Sequence, residues 1–85
     1  DSMGLAEEDA EQAVRLAPNL PEAWLERGIV RRLKGDEKGA RGDWLQVLIL
    51  DADGPAGDAA RANIERLEFK LDQNPANLPP RTGVR

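Results

Sequence analysis

The 85-residue sequence has no cysteine, no histidine and no tyrosine. Without cysteine there can be no disulfide, thiolate metal site or thiol nucleophile. Without histidine the usual general base near neutral pH and the commonest zinc ligand are missing, and most familiar catalytic triads go with them. Chemistry would have to rest on carboxylates, lysines and arginines, so the expectation is a non-catalytic protein with no cofactor and no metal. Aromatic residues are equally scarce: Trp24, Trp44 and Phe69 are the whole set. No apolar run approaches the ~20 residues that a membrane-spanning helix needs, so membrane insertion is not expected. The formal net charge of -4 gives no electrostatic basis for binding nucleic acid or an anionic membrane surface. The start at Asp1 carries no signal-peptide pattern and reads as that of an excised or processed piece, which leaves the compartment, cytoplasmic or periplasmic, undecided.

What the chain does contain is an echo of itself. Shifted by 34 residues, Pro21 falls on Pro55, Arg27 on Arg61, Arg32 on Arg66, Leu33 on Leu67, Ala6 on Ala40, Asp9 on Asp43, Gln12 on Gln46 and Leu16 on Leu50. Near-matches extend the pattern, with Gly28 over Ala62 and Val30 over Ile64. A fixed period of this length is the mark of a helical repeat.

The spacing of apolar residues predicts four helices. The first spans Gly4 to Ala17, with Leu5, Ala6, Ala10, Ala13, Val14 and Ala17 on one face, and Pro18 stops it. The second runs from about Pro21 to Lys34, with proline in its first turn and Asn19 or Leu20 near the cap. Its packed face draws on Ala23, Trp24, Gly28, Val30 and Leu33; the mid-helix glycine is expected to admit a neighbouring helix backbone. Gly35-Asp36 reads as a stop followed by a start. The third helix, about Glu37 to Leu50, carries Ala40, Trp44, Val47, Leu48 and Leu50 inward. Asp51-Ala52-Asp53-Gly54 ends it, with Asp53 as the expected cap of a fourth helix from Pro55 to about Gln73, whose inner face is Ala60, Ile64, Leu67 and Leu71. Prolines 75, 79 and 80 and Gly83 predict a non-helical tail over 75–85, leaving 1–74 as one helical domain.

Trp24, Gly28, Ala40 and Trp44, with the turn at Gly35-Asp36, resemble the tetratricopeptide repeat (TPR) family in residue type and spacing. Residues 21–54 resemble one complete repeat, Ala6 to Pro18 the second helix of a repeat before it, and Pro55 to Gln73 the first helix of one after it. Three positions depart from the family pattern: Arg27 where leucine is usual, Arg31 where an aromatic is usual, and Ala52 in place of the closing proline. The resemblance implies an all-α fold of antiparallel hairpins stacked in a short right-handed superhelix. It also implies an interaction scaffold that holds a segment of another protein in a concave groove. The dominance of Arg and Ala over Lys and Tyr matches coding in GC-rich bacterial genomes.

On that resemblance, the groove-facing candidates of the second helix are Glu22, Leu25, Glu26, Ile29, Arg32 and Leu33, and those of the fourth include Ala56, Ala59, Ala60, Asn63, Arg66 and Leu67. Leu25 and Ile29 occupy positions where a carboxylate clamp would need Lys and Asn, so a receptor for chaperone C-terminal tails is rejected. The expected ligand is instead a protein or peptide segment that is apolar and bears a carboxylate, met by Arg32 and Arg66. The competing view is that these residues are ordinary surface and core edge. The arginines in general read as solvated partners of nearby acids, and the two tryptophans as packing residues.

Two short motifs fail on inspection. Asp51-Ala52-Asp53-Gly54 lacks the glycine spacing and the terminal bidentate Glu of a calcium loop. Arg41-Gly42-Asp43 spells an integrin tripeptide but falls inside the third helix. Phe69 lies half a turn away from the inner face of the fourth helix and needs a cover of its own. Either the tail folds back on it through Leu78, Pro79, Pro80 or Val84, or a second molecule does so; the bland alternative is a lone exposed phenylalanine. The alternative function is therefore a self-assembly module, a homo-oligomer formed through the truncated repeat ends.

Overall fold

The computed structural model describes residues 1–72, in which every regular element is a helix. These are α1 (Ser2–Leu16), α2 (Pro21–Leu33), α3 (Glu37–Leu50) and α4 (Pro55–Asp72). The burial expected of Leu71, the end of the fourth helix at Gln73, and the tail with its contacts from Leu78, Pro79, Pro80 and Val84 lie outside the described residues.

Each boundary has a local cause. α1 begins at Ser2, earlier than the expected Gly4, because the Asp1 carboxylate accepts the Gly4 N–H and supplies the cap. It ends at Leu16, with Ala17 already out of helical geometry before Pro18. α2 starts on Pro21 behind Leu20, which offers no side-chain cap, and the rigid proline presets the first turn instead. At its other end Gly35 takes φ +94°, the Gly35 N–H donates to Arg32 O and the Asp36 N–H donates to Arg31 O. This paired closure satisfies two carbonyls that the helix end leaves open. Asp36 then caps α3 by accepting from Gly39 N at 2.9 Å. The expected cap at Asp53 is corrected: the residue before α4 is Gly54, whose carbonyl accepts the Asp58 N–H.

Successive helices run antiparallel, as cross-links such as Lys34 to Glu7, Arg27 to Asp43 and Lys70 to Glu37 require. α2, α3 and α4 touch one another in a three-sided cluster, whereas among the described residues α1 meets only α2. The core lies within that cluster and consists of Ala40, Trp44 and Val47 from α3 with Ala56, Ala60, Ile64 and Leu67 from α4, flanked by Trp24, Leu25 and Ile29 of α2. Its small residues let the helices approach closely, and Trp44, fully buried, is its largest side chain. The Trp44 indole donates to Leu25 O at 3.3 Å and covers Gly28, where an added Cβ would lie 2.7 Å from Cδ1 and 2.9 Å from Cε2. Gly28 therefore makes room for an indole, not for the neighbouring backbone. Leu5 and Leu33, expected on packed faces, are instead exposed.

Candidate interaction face

α2 and α4 lie side by side, so the side chains that repeat at 34 residues come to neighbouring helices. Arg32 and Arg66 are both exposed. Arg66 Nη2 donates to Asn63 Oδ1 at 2.8 Å, which holds the guanidinium along α4. Glu22 is exposed at the start of α2. Leu25 and Ile29 are half-buried and pack on the core cluster, leaving only their outer edges to a ligand. Ala56, Ala60 and Leu67 face inward and join the core.

Glu26 falls elsewhere. With Val30 it forms one wall of a trough between α1 and α2, whose other wall is Ala6, Asp9, Ala10 and Ala13. The trough holds about 350 Å³ and opens to solvent. Its floor is apolar, and Asp9 and Glu26 are exposed along it. No periodicity argument on a single helix reveals such a feature, because it arises between two helices.

The strongest electrostatic feature also escapes the reading of single residues. Asp43 is only 2% exposed, and both of its oxygens are taken. Arg27 grips it with two bonds, Nε to Oδ2 at 3.0 Å and Nη2 to Oδ1 at 2.9 Å, and Arg31 Nη1 adds a third to Oδ1 at 3.2 Å. Bidentate geometry of this kind is the strong form of the interaction. The expectation of solvated arginines is thus corrected for Arg27, whose side chain is 16% exposed. Its pKa is held above the ordinary arginine value, chiefly by the Asp43 hydrogen bond. Desolvation opposes that rise, and the charges of Asp43 and Glu11 assist it. The guanidinium also lies 4.9 Å from the centre of the Trp24 ring, whose Nε1 donates to Pro18 O at 2.8 Å. Arg27 and Arg31, two of the three positions that depart from the TPR pattern, share one role: they neutralise a buried acid on α3. The same burial removes Asp43 from the reach of any ligand, so the Arg41-Gly42-Asp43 tripeptide has no accessible carboxylate.

The other ion pairs among the described residues, Lys34 with Glu7, Arg41 with Glu68, Lys70 with Glu37 and Arg61 with Asp58, are partly or fully solvent-exposed links along or between helices. No described helix is long and apolar enough to cross a membrane. Comparison of the chain with protein-family models, curated proteins and solved structures returns no match.

Proposed function

We propose that the chain is a TPR-like interaction module that binds a segment of another protein without chemical change. The observation that carries the reading is the packing order. α2 touches α1, α3 and α4, and α1 touches neither α3 nor α4, as successive hairpins of an open stack would do. In such a stack α2 and α4 are equivalent helices on one face, and Arg32 and Arg66 repeat on it at the 34-residue period. The outer edges of Leu25 and Ile29 give that face its apolar part, and Glu22 with Asn63 gives its polar rim. The chemistry fits an apolar segment that bears a carboxylate.

A displayed peptide library tests this directly. Selection on the protein should enrich peptides that combine an apolar residue with a carboxylate. Arg32→Glu or Arg66→Glu should weaken the selected peptides by about tenfold, and Glu8→Ala, on α1, should leave them unchanged. Peptides that bind both arginine variants as tightly as the parent would place recognition elsewhere, and a failure to enrich any sequence would remove the reading.

A further inference from the structure

We infer that copies of this chain associate head to tail, with α4 of one copy seated in the trough between α1 and α2 of the next. The inference concerns the ends of the stack and does not depend on the peptide-binding face. It starts from two of the 34-residue identities, Arg27 with Arg61 and Asp9 with Asp43. Inside the chain, α2 fills the space beside α3 and α4 and joins Arg27 to Asp43. One period later and one period earlier, the same two residue types stand at opposite ends of the molecule. Arg61 is exposed on α4 and Asp9 is exposed on the wall of the trough. Within one chain they belong to helices that do not touch. Between two chains, repetition of the α2–α3 packing places Arg61 on Asp9.

Side-chain size supports the same docking. In the α2–α3 contact Gly28 is required because Trp44 lies on it. The equivalent residues are Ala62 on α4 and Ala10 on α1, so the glycine grows by one methyl where the tryptophan shrinks to alanine. Two small residues meet without a clash. One turn beyond Glu65 on the same face of α4, Phe69 is 66% exposed. The antiparallel register carries it toward the start of α1 in the next copy, where Met3 and Leu5 are exposed. Docking would cover apolar surface at both ends.

One substitution works against the contact. Glu65 stands where Arg31 does inside the chain, and it faces Asp9 with like charge. Arg61 must also leave its exposed bonds to Asp58 and to Ala52 O, a small loss at the surface. The association is therefore weak and concentration-dependent. Being heterologous, it adds copies in a row and does not close at two.

Sedimentation velocity of the full chain over a concentration series reads the inference out. The wild-type protein should show a rising average size. Asp9→Arg and Arg61→Asp should each weaken association by about tenfold, and the two together should restore it. Glu65→Arg, which completes the second arm of the pair, should strengthen it by about tenfold. A wild-type protein that stays monomeric up to its solubility limit would overturn the inference. So would a closed dimer indifferent to these charges, or a Glu65→Arg variant no more associated than its parent. Arg32→Glu, which tests the peptide-binding face, should leave the sedimentation series unchanged, so the two proposals fail separately.

Discussion

A buried carboxylate between two arginines is the most consequential arrangement at the scale of single residues. Taking Asp43 out of water is costly, and the three bonds from Arg27 and Arg31 offset that cost only while both partners remain. Arg27→Ala leaves the acid with a single bond, and urea unfolding followed by tryptophan fluorescence should show a loss of about 3–5 kcal/mol. Replacing the whole cluster is different. Arg27→Leu, Arg31→Leu and Asp43→Ala together remove charge and counter-charge at once, and the triple variant should match the wild-type stability to within about 1 kcal/mol or exceed it. A triple variant as unstable as Arg27→Ala would mean that the cluster contributes more than mutual neutralisation. The raised pKa of Arg27 fixes the sign of its pH dependence. The contribution is fully present below the ordinary arginine value and is lost only as pH rises through the higher folded value, so stability from this pair is flat across the neutral range.

At the scale of elements the helices are unequal. α3 buries Ala40, Asp43, Trp44 and Val47 and is gripped from both sides, whereas among the described helices α1 buries Ala10 and Val14 against α2 alone. Among the described residues its one ion-pair tether, Glu7 to Lys34, is partly exposed and contributes about 0–1 kcal/mol. Amide exchange should therefore find α1 opening on its own, with protection at least tenfold below that of α3. Equal protection in both would show that the four helices unfold as one unit. The sequence makes much of this layout legible, and for identifiable reasons. Gly35 with Asp36 and the Asp51 to Gly54 break fix α3 at Glu37–Leu50, because each is a chemical stop or start that acts within a few residues. The start of α1 is harder to see, since Gly4 looks like a breaker until Asp1 is seen to cap it. The Asp43 cluster and the α1–α2 trough are not legible residue by residue. An arginine that meets a buried acid across a helix pair has the same local pattern as one that meets water. Only the joint departure of Arg27 and Arg31 from apolar types, opposite an acid on the next helix, carries the signal. For the face of α2 and α4, the TPR resemblance is what selects Leu25, Ile29, Arg32 and Arg66. It does not separate Glu26, whose side of the helix is decided by where α1 packs.

Across the whole molecule the first and last helices are kept apart by α2. In a closed four-helix bundle the first and last helices would meet, and the chain would have no exposed end faces to offer a partner. Here α1 and α4 stand apart, the trough beside α1 is open, and Phe69 is exposed on α4. The proposed peptide-binding face and the proposed head-to-tail contact both require that arrangement. Because the chain has no cysteine, a single introduced thiol reports on it cleanly. A nitroxide on Gln12→Cys in α1, in the Arg61→Asp background so that neighbouring copies are kept apart, should broaden the amide signals of α2 and spare those of α4. Broadening along α4 in that background would mean that α1 closes the bundle, and would contradict the open stack.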